Sequence, residues 1–150
     1  MSSGRLTHAA IRALDWLAKR TLPADEGPQH QHTGRHGEED AYFFLRRRGY
    51  VMVARNFRCR GMKGEIDLVG YDGGTVAFVE VKTRTSSARA FGSPEDAVSA
   101  EKRRHLARMA RHFLLEYHAE KAPFRFDILA IESPPGRRPV VRLHKAAFAV

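Results

Sequence analysis

The stretch GEIDLVGYDGGTVAFVEVKTR, from Gly64 to Arg84, constrains the fold of this chain more tightly than any other. Its first run, Glu65 to Tyr71, alternates Ile66 and Leu68 on one side with Asp67 and Val69 on the other. Its second, Thr75 to Val81, is rich in β-branched and aromatic residues. Between them Asp72-Gly73-Gly74 supplies the positive φ angles that a tight hairpin turn requires. With Gly73 and Gly74 as the two loop residues, Asp72 faces Thr75. Counting outward then places Asp67 directly opposite Glu80. Lys82, two residues further along, points to the same face as Glu80.

Directly opposed residues have Cβ atoms about 5 Å apart, and like charges across a ladder destabilise it. Two arrangements offset the repulsion. In one, a divalent cation sits between Asp67 and Glu80. Hard oxygen ligands with positions left open for water and phosphate suit magnesium, and Lys82 beside them can orient or deprotonate a water and stabilise charge on a phosphate oxygen. In the other, the acids lie on a solvated polar face and Lys82 neutralises them. The hairpin alone is compatible with both.

A chain of 150 residues, 43% of them hydrophobic, suits one domain with a buried core. The single Cys59 excludes an internal disulfide and any cysteine-rich zinc site, and fits a reducing compartment. No run approaches the roughly 18 apolar residues of a membrane span, and the N-terminus lacks a secretory hydrophobic region. The expectation is a cytoplasmic protein without membrane insertion. The net charge of +9 points to a polyanionic partner, nucleic acid first and an anionic membrane surface second. No acid occurs between Ala41 and Gly64, where Arg46, Arg47, Arg48, Arg55, Arg58, Arg60 and Lys63 lie, and the basic excess resumes at Arg137, Arg138, Arg142 and Lys145.

Along the chain, Met1 to Arg20 has the narrow apolar face of a short helix (Ile11, Leu14, Trp16, Leu17), and Thr21 to Thr33 reads as a linker. His30, His32 and His36 could bind a metal, but alternating histidines in a loop are more often solvated. From Gly34 to Arg48 the spacing turns helical, with Ala41, Tyr42 and Leu45 inward. Glu38 projects toward that stripe, where an acid needs a partner; as a first-turn carboxylate it would instead be favoured by the helix dipole. Gly49 ends this helix, and Tyr50 to Arg58 alternates as a strand. After a polar loop, Ser93-Pro94-Glu95-Asp96 has the signals of a helix start. That helix runs to about Tyr117 with Val98, Leu106, Met109 and Phe113 on one face. Lys102 shares this stripe, either snorkelling out from its edge or reaching a phosphate if the helix start lies near the two acids. Phe124 to Ile131 and Val140 to Leu143 read as strands. The order α, β, β, β, α, β, β predicts an α/β sandwich, two helices covering opposite faces of a small mixed sheet, in a domain spanning 34–150 behind an extension and linker of 1–33.

Several motifs now stand together: Gly37-Glu38 with Ala41 and Leu45, Arg55-Asn56-Phe57-Arg58, Gly64-Glu65-Ile66-Asp67-Leu68, Phe78-Val79-Glu80-Val81-Lys82-Thr83-Arg84, Lys102, and Arg125-Phe126-Asp127. This set resembles the PD-(D/E)XK nuclease superfamily and, within it, the bacterial YraN (UPF0102) family, which is similar to Holliday-junction resolvases. The resemblance covers Gly34 to Val150. It implies a restriction-endonuclease-like α/β/α sandwich in which Asp67 and Glu80 are metal ligands, Lys82 is the catalytic lysine and Glu38 is a helix-borne acid completing the catalytic set. Ile66 stands where the superfamily's name has proline, which leaves the ligands untouched. The implied activity is Mg2+- or Mn2+-dependent hydrolysis of DNA phosphodiesters by metal-activated water, selective for DNA structure rather than sequence. The expected phosphate contacts are Arg55, Arg58, Arg60, Lys63, Arg84 and Lys102. Junction enzymes cut two strands, so the likeness also implies, by analogy, a homodimer. The rival expectation is a nucleic-acid-binding module that keeps the fold and does not cleave.

Overall fold

The computed structural model describes residues 29–84 and 98–150. The expected N-terminal helix, the linker up to residue 28 and the helix-start signals of Ser93 to Asp96 lie outside the described residues. Within them the elements are α1 (Gln29–Arg47), β1 (Val51–Phe57), β2 (Ile66–Asp72), β3 (Thr75–Arg84), α2 (Ala100–Glu116), β4 (Phe124–Glu132) and β5 (Val140–Phe148). The strands form one sheet in the order β1-β2-β3-β4-β5. β3 and β4 are parallel and joined across α2, while the other neighbours are antiparallel. No helix among the described residues is long and apolar enough to cross a membrane.

The sandwich has the expected layers. On one face Ala41, Tyr42 and Leu45 of α1 pack on Leu68, Ala77, Val79, Leu129 and Ile131. On the other, Leu106, Met109 and Phe113 of α2 pack on Val69, Val76, Phe78, Phe126 and Ile128. The central strands β3 and β4 are covered on both sides, so they are nearly continuous apolar runs rather than alternating ones. Phe113 sits edge-on to Phe57 at 5.1 Å and to Phe78 at 5.6 Å, which makes it the pin between α2 and the sheet; its truncation to alanine would cost about 3–5 kcal/mol.

The hairpin register is the one expected. Asp72 pairs with Thr75, and the ladder continues to Leu68 and Val79, one step short of Asp67 and Glu80. The alternation within β2 is not: Ile66 belongs to the α2-side core and Leu68 to the α1-side core. Their β1 partners are Phe57 and Arg55, and the residue between these, Asn56, has a positive φ of 49°. The strand pair turns over at that residue, which brings Phe57 and Ile66 together into the opposite core.

Three boundaries differ from expectation. α1 begins at Gln29 rather than Gly34, because nothing between Pro28 and Gly34 breaks a helix and one interior glycine costs only about 1 kcal/mol. Gly49 does end it, at φ 90°, with Tyr50 N–H donating back to Leu45 O at 3.1 Å. α2 is capped by Ser99, an extended residue whose hydroxyl accepts from Lys102 N–H at 3.2 Å, so Val98 is buried in the core but precedes the helix. β5 runs to Phe148 rather than Leu143. The Asp127 carboxylate takes the N–H of Ala146 at 2.9 Å, Ala146 adopts φ 49°, and the strand bulges so that Phe148 stacks on Phe126 at 5.0 Å.

Candidate metal and catalytic site

The ladder between β2 and β3 opens because a side chain takes over a backbone bond. Asp67 Oδ2 accepts the N–H of Val81 at 2.7 Å. At this opening Asp67 and Glu80 sit on neighbouring strands. Glu80 is only 6% exposed, which overturns the solvated-face alternative. Lys82 Nζ donates to its Oε1 at 3.0 Å, and Lys102 Nζ, from the first turn of α2, lies 3.5 Å from the same oxygen. The other oxygen, Oε2, is buried and accepts no hydrogen bond from any described residue. The Asp67 carboxyl is raised to about 7: burial is the largest cause, the neighbouring Glu80 and then Glu38 add to the rise, and the Val81 N–H and Lys102 oppose it.

Glu38 reaches the site from α1. At the preceding position, Gly37, a Cβ would overlap Thr83 Oγ1, so the missing side chain is what lets α1 lie directly on the end of β3. Since α1 starts at Gln29, Glu38 lies well inside the helix and the first-turn dipole reading does not apply. One carboxylate oxygen each from Glu38, Glu65 and Asp67 lie within 4.8 Å of one another. Asn56 Nδ2 donates to Glu38 Oε2 at 3.1 Å and to Glu65 Oε1 at 3.2 Å. The Arg58 guanidinium holds the other oxygen of Glu65 at 2.7 Å.

Glu38, Asp67, Glu80, Lys82 and Lys102 thus converge as the sequence suggests. Lys102 meets Glu80 rather than standing apart on the stripe edge. Glu65 and Asn56 were not expected in the site. The signal for Glu65 was a second acid two residues before Asp67 behind Gly64, a glycine at φ 85° against which His105 packs. Asn56 had no spacing signal, because its role depends on a left-handed backbone inside a strand. The expected phosphate contacts divide. Arg55 lies over the Tyr42 ring at 5.0 Å on the α1 face, and Arg58 is paired with Glu65. Arg60 and Lys63 are exposed between β1 and β2, and Arg84 is exposed at the end of β3.

The donor set is carboxylate oxygen throughout, which fits a hard divalent cation rather than zinc or copper. The fit rests on two independent observations: the three clustered acids, and an unpartnered buried oxygen on Glu80 beside them. Like charges held this close need compensation; Lys82 and Lys102 pair with one oxygen of Glu80, and Arg58 with one oxygen of Glu65.

Residues 37–131 match the model of a family described as uncharacterised protein family UPF0102. The matched range contains every residue of the site. A UPF0102 protein of Koribacter versatilis is 46% identical over 144 residues, covering 95% of this chain and 94% of its own length. One from Nocardia farcinica is 44% identical over 132 residues (88% and 100%), and one from Symbiobacterium thermophilum 46% over 115 (77% and 94%).

Proposed function

The chain belongs to the UPF0102 family, and from the chemistry of its acidic site we propose that it is a divalent-metal-dependent nuclease of the PD-(D/E)XK type that hydrolyses phosphodiester bonds in DNA, selecting for DNA structure. The observation that carries the reading is the buried, unpartnered Oε2 of Glu80 next to an Asp67 whose carboxyl is raised to about 7. A structural acid pair has no use for such a deficit. Asp67 and Glu80 would hold Mg2+ or Mn2+, with Glu38 completing the catalytic set. A cation bound there supplies positive charge against the phosphate and lowers the pKa of water.

The chain's own residues do the rest. Lys82 rests on Glu80 Oε1 with a third of its side chain exposed, so its ammonium can orient a water or donate to a non-bridging phosphate oxygen. Lys102 adds a second cation from the first turn of α2. Exposed Arg60, Lys63 and Arg84, with Arg55 and Arg58, supply backbone contacts that position a duplex and carry no base information.

The test is incubation of the pure protein with branched, flapped, linear and single-stranded DNA in magnesium or manganese, alongside Asp67→Ala and Glu80→Ala. Both variants should lose cleavage while binding DNA as tightly or more tightly, because removing an acid lessens repulsion of phosphate. One observation favours a second reading, a binding module without cleavage: Lys82 and Lys102 already neutralise Glu80 Oε1 without a metal. Tight binding with no cut in any substrate, in either metal, would select it.

A further inference from the structure

We infer that Asn56 is a positioning residue of the acidic site, an uncharged latch that holds Glu38 and Glu65 where they can face a cation. The inference rests on the metal-site reading above. Asn56 adopts φ 49° within β1, a left-handed conformation that is strained for a non-glycine residue, with asparagine among the more tolerant. Glycine would accept that backbone without strain. What glycine lacks is the amide, and here both amide hydrogens have work: Nδ2 donates to Glu38 Oε2 at 3.1 Å and to Glu65 Oε1 at 3.2 Å.

Those two acids come from different parts of the chain, Glu38 from α1 and Glu65 from the connection into β2. With Asp67 they bring three carboxylates within 4.8 Å, an arrangement that repels itself. A lysine or arginine at position 56 would hold them equally well, but its charge would cancel the field that attracts a cation. An amide fixes the geometry and leaves the negative charge in place. The contrast is visible at Glu65, whose outer oxygen is taken by the charged Arg58 while its other oxygen is taken by the neutral amide. The left-handed backbone also explains why the amide points where it does, because the strand pair turns over at this residue. Strain beside the site is therefore part of how the acids are aimed.

The experiment is Mn2+ binding, followed by electron paramagnetic resonance or calorimetry on the full chain, with no DNA and no turnover. Asn56→Gly keeps the backbone and removes the amide. It should weaken Mn2+ binding about 10- to 100-fold, the range for outer residues that orient metal ligands, with the metal-free melting temperature within a few degrees of wild type. Arg58→Ala should bind Mn2+ as tightly as wild type or more tightly, because it removes a competing cation and leaves both amide bonds. Equal binding by wild type and Asn56→Gly overturns the latch and leaves the metal site standing. Failure of the wild type itself to bind Mn2+ overturns the metal site. Weakened binding in Arg58→Ala to the same degree as in Asn56→Gly, or a metal-free melting temperature of Asn56→Gly lowered by more than about 10 °C, assigns Asn56 a structural role and overturns the latch.

Discussion

Two groups of carboxylates sit on the same five-stranded sheet and are treated in opposite ways. In a network that reaches the hairpin turn through Arg125, Asp127 is fully buried, yet it accepts from Arg125 Nε at 2.8 Å, Ala146 N–H at 2.9 Å and the Tyr50 hydroxyl at 3.4 Å. Asp72 beside it takes Arg125 at 2.6 Å and Lys145 at 2.7 Å, and hydrogen bonds from Lys145 and then Arg125 hold its carboxyl below the ordinary range. At the other end, where β2 and β3 part, Glu80 keeps a buried oxygen without a described partner and Asp67 is raised to about 7. The same chain can therefore complete a buried acidic network with arginine, lysine, tyrosine and a bulged backbone N–H. It leaves the network around Asp67 and Glu80 incomplete. A deficit of this kind, on a fold that shows how to avoid it, is what the proposed cation site would require.

The comparison breaks first at Arg125. Removing it strands Asp127, which is 0% exposed, and also uncovers Asp72. Arg125→Met should cost about 3–5 kcal/mol, the range for removing one partner of a buried ion pair. Urea denaturation at neutral pH measures it. Glu80→Gln at the other end removes a buried acid whose partners Lys82 and Lys102 are each a third or more exposed, and should cost under 1 kcal/mol or stabilise the metal-free protein. If the two substitutions cost the same, the ends are not different in kind.

A second, smaller effect separates the ends by pH. Asp67 has a folded pKa of about 7 against an ordinary 3.8, so between those values the folded state holds a proton that the unfolded state has lost. The stability of the metal-free protein should fall as pH rises from about 4 to 7, with the full penalty present above 7. Asp67→Asn should remove that decline and raise the melting temperature at pH 8 in EDTA by several degrees, since about 1 kcal/mol shifts a chain of this size by roughly 2–4 °C. Asp72 has the opposite sign. Its lowered pKa contributes stability above the ordinary carboxylate range that is lost as pH falls through it. Magnesium should cancel the Asp67 penalty in the wild type and leave Asp67→Asn nearly unmoved. Thermal melts across pH 5–8, with and without magnesium, show all of this, and a parallel decline in both proteins would remove Asp67 as its source.

How much of this was legible in the sequence follows from what each feature depends on. The hairpin register, and with it the meeting of Asp67 and Glu80, was readable because a two-residue glycine turn leaves one register. The two helices and their inward stripes were readable from periodicity, as was the approach of Glu38. Hidden were the left-handed Asn56, the bulge at Ala146 and the early start of α1. The first two go with hydrogen bonds donated to the carboxylates of residues distant in the chain, Glu38 and Asp127, and no local spacing encodes them. Glu65 was missed for the same reason: it joins the site only because the strand pair turns over at Asn56.

The smallest expected effect concerns the basic loop, where the comparison between compensated and uncompensated charge extends to the proposed DNA. Affinity for duplex should fall with salt at a logarithmic slope of about −0.9 for each phosphate neutralised. Read from sequence, Arg58 and Arg60 are equivalent. In the structure Arg58 is held 2.7 Å from Glu65, so part of its charge is already spent inside the protein, whereas Arg60 is exposed and Lys63 with it. Changing Arg60 and Lys63 together to alanine should flatten the slope by up to about two units, and changing Arg58 and Arg60 by nearer one. Sequence preference should be unaltered in either case, because contacts to the backbone position a protein without reading bases. Binding titrations at several salt concentrations, with two unrelated duplexes and one branched DNA of matched length, provide the slopes. Identical slopes for the two double variants would mean that Arg58 leaves Glu65 to meet the phosphate, which would release an acid next to the cation site as DNA binds. Slopes unchanged from wild type in both would move the contact surface away from this loop, to the basic segment from Arg137 to Lys145.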